Sequence, residues 1–208
     1  MEILGTLFGS DVKVRTMRLF LFNHNLVFDL GMVAIRVQCT LREAEKEIKQ
    51  LEKVGLIKRK VFYKNVEMKH KGKTELVKEK AKGWGVNADF HYIKALQHIL
   101  IEISPFTKEE IVKRVSRAGA IKLLIIAGVF IQDWESRADI LIVGDRINKA
   151  SLSKTMKVME SEIGKELRYA VFETKDFNYR LNMCDKLVRD ILDFPHKKLI
   201  NRLAVPEN

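Results

Sequence analysis

The feature that most constrains this chain is a change of hydrophobic period at Gly55. Thr40-Leu41-Arg42-Glu43 fits a capping box, in which a threonine and a glutamate three residues on satisfy each other's backbone donors. The spacing of Leu41, Ala44, Ile48 and Leu51, with Val54 close by, then predicts one apolar stripe on a helix. The opposite face carries Arg42, Glu45, Lys46, Lys49, Gln50 and Lys53. Gly55 supplies the stop. From Leu56 to Phe62 the pattern becomes strand-like. Lys71-Gly72-Lys73 reads as a hairpin tip, with Leu76 and Val77 on a returning strand.

Two shorter helices precede this one. Ser10-Asp11 is a helix start, followed by Val14, Met17, Phe20 and Leu21 at helical spacing up to about Phe22. Asn23-His24-Asn25 is a break. A second helix is expected from about Asp29 to Val37, with Leu30, Val33 and Ala34 facing inward and Gly31 weakening it. Three helices and then a basic hairpin is the order of a winged helix.

Charge agrees with that order. Residues 1–82 hold 18 Lys and Arg against 10 Asp and Glu, and 58–82 alone hold 10 against 3. The remaining 126 residues are nearly balanced, at 20 against 17. A basic block on one domain suits a polyanion, because lysine and arginine displace counterions condensed on phosphates. The competing reading is a solvated basic face that binds nothing.

The run Gln50-Leu51-Glu52-Lys53-Val54-Gly55-Leu56-Ile57-Lys58-Arg59 resembles the end of the recognition helix in ArsR- and MarR-like winged-helix regulators. The resemblance covers about residues 8–82 and implies duplex DNA as partner. The hairpin over 56–79 is longer than the compact wing of that group. In this reading Thr40, Arg42, Lys46 and Lys49 contact groove or phosphate from the third helix, and Lys69, His70, Lys71 and Lys73 do so from the wing. Glu43 is read as a cap rather than a reader, while Glu45 and Glu47 lower the local positive potential. RNA and protein contacts are the alternatives for such a module.

Gly83-Trp84-Gly85-Val86-Asn87 punctuates the chain and marks an expected boundary. Residues 83–118 then read as a helical linker. One helix runs over His91–Ile103, and another starts at Ser104-Pro105, with Thr107, Glu109 and Glu110 at its acidic end. Residues 119–208 form the expected second domain. Apolar strands over Ile121–Ile131, Ala138–Asp145 and Leu167–Phe172 alternate with an amphipathic helix over Ser151–Ile163 and a helix capped at Thr174-Lys175-Asp176-Phe177. Gly128 followed by Ser136-Arg137-Ala138-Asp139-Ile140-Leu141-Ile142-Val143-Gly144-Asp145 resembles the core of minimal nucleotidyltransferases. The fold expected for the whole chain is thus α+β, a winged helix joined to an α/β nucleotidyltransferase-like domain with a mixed sheet.

The chemistry of that family is incomplete here. Nucleotidyl transfer needs two carboxylates two residues apart on a strand, both facing one metal site. Gly128, Arg137 and Asp139 form a degenerate version: in one register Arg137 stands where the first carboxylate belongs, in the other Asp139 is first and Leu141 replaces the second, and Val129 replaces the family's serine. Asp139 is expected to cap or to pair with Arg137. No catalytic residue, metal site or cofactor is therefore assigned. The five histidines are scattered, and Cys39 and Cys184 have no ligand spacing. Trp84 and Trp134 read as packing residues before base-stacking ones.

The expectation is a DNA-binding transcriptional regulator whose second domain is a catalytically degenerate sensor or interaction module. It would act as a homodimer over two half-sites, or engage a protein partner through the second domain. The other readings are a divergent nucleotidyltransferase using Asp139, Asp145 or another carboxylate, and an antitoxin-like protein-binding module. No apolar run approaches the ~20 residues of a membrane span, and Met1-Glu2-Ile3 lacks the start of a signal peptide, so a cytoplasmic location is expected.

Overall fold

The computed structural model describes the backbone of residues 3–70 and 73–206, and the side chains within those ranges apart from 66–70 and 73–75. Among the described residues it is an α+β fold with two sheets. The chain divides into two units, residues 1–103 with 161–165 and residues 104–160 with 166–208.

In the first unit α1 (Ile3–Phe8) precedes α2 (Asp11–Phe22). Ser10 caps α2 by accepting from the Lys13 amide at 3.2 Å. Val14, Met17, Phe20 and Leu21 are buried. Arg18 is buried too, and its Nε donates to the Leu100 carbonyl at 2.8 Å, so it adds nothing to the surface charge. α3 (Leu30–Val37) is capped by Asp29, which accepts from the Met32 amide at 2.8 Å.

α4 (Leu41–Lys53) has both halves of its capping box. The Thr40 amide donates to Glu43 Oε2 at 2.8 Å, and the Glu43 amide donates to Thr40 Oγ1 at 3.2 Å. Its buried stripe differs from the expected one. Ala44, Glu47, Ile48 and Leu51 face inward, while Leu41 and Val54 are 58% and 61% exposed. The stripe still follows helical spacing, but Glu47 occupies an inward position beside Lys13, at 3.7 Å.

β1 (Ile57–His70) and β2 (Lys73–Val86) form an antiparallel hairpin in register from Ile57↔Val86 to His70↔Lys73. The Gly83–Val86 stretch, expected as a boundary, is therefore the end of a strand. It is held there by a third segment. The Phe28 amide donates to the Trp84 carbonyl at 2.9 Å and the Trp84 amide returns a bond to Phe28 at 2.8 Å. Gly83 is required for this approach, since a Cβ there would lie 2.4 Å from the Phe28 carbonyl oxygen. The expected 91–103 helix is α5 (Ile93–Gln97) followed by a wider π turn over His98–Glu102.

The second unit begins with α6 (Lys108–Ser116). This helix starts after Pro105 rather than at it, because Thr107 and Glu110 form the capping box. α6 groups with the second unit rather than with a linker. β3 (Ala120–Ile126), β4 (Ile140–Asp145), β5 (Tyr169–Phe172) and β6 (Lys197–Asn201) form a mixed sheet in the order β5-β4-β3-β6. β3 runs antiparallel to β4 and β6, and β5 lies parallel to β4. The expected strand over 121–131 ends at Ile126, since Gly128 turns the chain with a φ of 52°. α7 (Lys149–Ile163), whose last three residues group with the first unit, is followed by α8 (Thr174–Asn182) and α9 (Lys186–Asp193). Leu123, Ile125, Leu141 and Val143 from the sheet pack with Phe177, Val188 and Ile191 from α8 and α9. Among the described residues, no helix is long and apolar enough to cross a membrane.

Candidate nucleic-acid interface

α4 presents Arg42, Lys46, Lys49 and Lys53 to solvent. Two of the expected contacts are committed elsewhere. The Thr40 hydroxyl donates to Glu43 Oε2 at 2.7 Å while accepting from the Glu43 amide, so it serves the cap. These Thr40 bonds hold the Glu43 carboxyl below its ordinary range. Lys49 Nζ lies 2.7 Å from Glu45, one turn back, and lowers that carboxyl's pKa in turn. Arg42 and Lys46 are thus the exposed cations of this face that the sequence singled out and the helix leaves uncompensated. Glu47 takes no part in the surface potential, because it is buried.

The hairpin divides its charges between two faces. Residues directly opposite in an antiparallel pair share a face. Lys58, Lys60, Phe62 and Lys64 therefore lie with Gly85, Gly83, Ala81 and Glu79. Lys58 is paired with Asp89 at 3.3 Å and Lys64 with Asp29 at 3.2 Å. Asp29 is partly buried, which pushes its carboxyl up. The Met32 amide and Lys64 outweigh that and leave it below the ordinary value.

The other face holds Arg59, Val61, Tyr63 and Asn65 beside Trp84, Lys82, Lys80 and Lys78. Arg59 Nε reaches Glu52 at 2.9 Å, and its guanidinium lies 5.7 Å from the centre of the Trp84 ring. The Trp84 indole, and then Arg59, hold the Glu52 carboxyl below its ordinary range. Lys78, Lys80 and Lys82 are exposed and form no ion pair among the described residues. Tyr63, directly opposite Lys80, is 68% exposed. A row of exposed lysines that enter no ion pair among the described residues suits contact with a phosphate backbone.

Sequence reasoning passed over Lys78, Lys80, Lys82 and Tyr63. The signal was the two-residue period of Lys78-Glu79-Lys80-Ala81-Lys82, which puts all three lysines on one face of a strand. The expected wing contacts Lys69, His70, Lys71 and Lys73 lie outside the residues whose side chains are described.

In the second unit Asp139 is fully buried and surrounded by donors. Its Oδ1 accepts from the Val129 amide at 3.0 Å and from Arg168 Nη2 at 3.2 Å. Its Oδ2 accepts from the Arg168 amide at 2.8 Å and from Arg168 Nε at 3.2 Å. Of the two expected roles, the carboxylate accepts backbone amides as a cap does, but it does not pair with Arg137. That residue instead reaches Asp190 on α9, with Nε 2.9 Å from Oδ2. The cause is the parallel pairing of β4 with β5, which delivers Arg168 beside Asp139 at the start of both strands. Gly128 sits against the same carboxylate, and a Cβ there would lie 2.1 Å from Oδ1. Asp139 thus ties the Gly128 turn to β4 and β5, and both of its oxygens are occupied. Asp145, at the far end of β4, accepts from Lys122 at 2.7 Å and from the Thr174 amide at 3.3 Å. The Lys122 ammonium and the Thr174 hydroxyl lower its carboxyl from 3.8 to about 2.

Comparison with protein families, curated proteins and solved structures gives no match to this chain, so its reading rests on its own residues.

Proposed function

We propose that the first unit is a winged helix-turn-helix module that binds duplex DNA, with α4 and the β1–β2 hairpin as its contact elements. The observation that carries this reading is the two-way bond between Phe28 and Trp84. It joins the segment between α2 and α3 to the returning strand of the hairpin. The resulting order is helix, short strand, two helices and a two-stranded wing, which supports a recognition helix at α4. The exposed pair Arg42 and Lys46 and the row Lys78, Lys80 and Lys82 supply cations for phosphate contact.

The second unit is, in the same proposal, a nucleotidyltransferase-like module that has lost catalysis and serves as a sensor or interaction domain. Antiparallel β3 and β4 joined through the Gly128 turn, with β5 parallel to β4 after α7, support that fold. The filled coordination of Asp139 favours a structural carboxylate over a metal ligand. Asp145 is likewise engaged by Lys122 and Thr174.

Fluorescence anisotropy across a salt series tests the reading, using a random duplex and the DNA upstream of the protein's own gene. A regulator binds its upstream site about 10³-fold or more tighter than random DNA. Arg42→Glu with Lys46→Glu should abolish that preference. Lys80→Glu with Lys82→Glu should weaken both duplexes and reduce the salt slope by about one per lost phosphate contact. Absence of duplex binding at low salt overturns the proposal.

A further inference from the structure

Unit two has its own cationic cleft, remote in sequence from the hairpin. Two adjoining cavities of about 600 and 530 Å³ share Lys108, Lys197 and Lys198 in their walls. Lys113 and His196 add to the lining. The walls are α6 on one side and the edge strand β6, with the turn leading into it, on the other. Lys198 is held by the Pro206 carbonyl. Lys108, Lys113 and Lys197 are exposed and enter no ion pair among the described residues.

The acids at this cleft do not neutralise it. Asp193 lies 3.6 Å from Arg189, and Glu109 is turned to its own helix start, where its backbone amide and Thr107 hold its carboxyl below the ordinary range. Like charges gathered in a concave site focus a positive potential that a polyanion relieves. Phe194, 57% exposed, borders the cavity of about 600 Å³ and offers a flat apolar face, while Lys113 lines the adjoining one. Three free ammonium groups beside an exposed ring match a phosphate chain attached to an aromatic base.

We propose that this cleft binds a nucleotide, with Lys108, Lys113 and Lys197 on its phosphates and Phe194 against its base. The nucleotide is either free or one residue of a single strand, and both present the same chemistry. This site is independent of the duplex-binding surface on the first unit.

Isothermal titration of the full chain with ATP, tripolyphosphate and decathymidylate tests it. ATP should bind more tightly than tripolyphosphate. Lys108→Glu with Lys197→Glu should weaken ATP at least about tenfold, the scale of one charge-assisted contact. The neutral triple variant Lys108→Gln, Lys113→Gln, Lys197→Gln should do the same with an unchanged circular dichroism spectrum. Lys154→Glu with Lys157→Glu, which makes the same charge change on exposed positions of α7, should leave ATP binding intact. Lys80→Glu with Lys82→Glu on the hairpin should also leave it intact, whatever happens to duplex binding. Decathymidylate that displaces ATP identifies a strand as the source of the nucleotide; failure to displace it identifies the free nucleotide. The proposal is overturned by absence of ATP binding, by equal loss in the α7 variant, or by tripolyphosphate binding as tightly as ATP.

Discussion

Arg168 closes on both oxygens of the buried Asp139, with Nε 3.2 Å from Oδ2 and Nη2 3.2 Å from Oδ1. Two backbone amides complete the set, one from Val129 in the Gly128 turn and one from Arg168 itself. The carboxylate therefore fastens three segments of the second unit at one point. A buried charge is tolerated on these terms only, since desolvation without partners costs several kcal/mol.

Arg168→Ala should accordingly destabilise the second unit by about 2–3 kcal/mol. That is below the 3–5 kcal/mol seen for breaking fully buried pairs, because the Arg168 side chain is 44% exposed and both amides remain. Arg137→Ala removes a pair whose arginine is 61% exposed and should cost no more than about 1 kcal/mol. Urea unfolding of the two variants checks the ranking. Equal midpoints would mean that Asp139 does not depend on Arg168.

What the sequence made legible was local. The caps at Ser10, Thr40 and Thr107 each act within three residues, so their partners are already adjacent in the chain. The partner of Asp139 stands 29 residues away and is chosen by the parallel register of β4 and β5, which no local pattern encodes. Of the two expected roles, accepting backbone amides is seen, while pairing with Arg137, nearer in sequence, is not. Glu47 shows a different limit. It was read as lowering the positive potential of the surface, yet helical spacing between Ala44 and Leu51 turns it inward beside Lys13. The sheet's edge strand β6 was not foreseen either, because Lys197-Lys198 lacks the apolar alternation that announces a half-buried strand. At the candidate interface, Arg42 and Lys46 stand exposed on α4 as read, whereas the lysine row of β2 was marked by its two-residue period and passed over, and only the register with β1 shows that Tyr63 shares its face.

Acid should act through Asp145. Its carboxyl is held at about 2, against an ordinary 3.8, first by Lys122 and then by Thr174. A lowered folded-state pKa gives stability that is fully present above about pH 4 and is lost as pH falls through about 2. Asp145→Asn should therefore melt lower than the parent at pH 5, and the gap should shrink toward pH 2. Differential scanning calorimetry over that window reads it directly. A gap that stays constant with pH would assign the effect of Asn to packing instead.

On α4 an acidic residue restrains a basic one. Glu45 sits 2.7 Å from Lys49, which points that ammonium along the helix and offsets its charge. Under the proposed function, Glu45→Gln should tighten duplex binding and steepen the salt slope by up to about one unit, as a further phosphate contact does. Anisotropy at several salt concentrations measures both quantities. Unchanged affinity and slope would remove Lys49 from the interface and leave Arg42 and Lys46 as the contacts from this helix.

The bond between Phe28 and Trp84 makes a sharper demand on glycine at 83 than at 85. A Cβ at Gly83 would lie 2.4 Å from the Phe28 carbonyl oxygen and 3.1 Å from the Asp29 amide, both backbone atoms that cannot move without breaking the bridge. At Gly85 the nearest atom is Lys60 Cδ at 3.0 Å, part of a flexible side chain, with the Leu26 carbonyl oxygen at 3.2 Å. Gly83→Ala should thus cost about 2–3 kcal/mol, the upper part of the range for overpacked sites, and Gly85→Ala about 1 kcal/mol. Hydrogen exchange separates a lost bridge from a general loss of stability. In Gly83→Ala the Phe28 and Trp84 amides should exchange faster than the α4 amides slow to open with the whole unit. If these two amides instead keep pace with α4, the segment before α3 is held by the core around Phe28 and Phe20, whose rings meet edge to face at 5.7 Å, and the strand pairing is secondary.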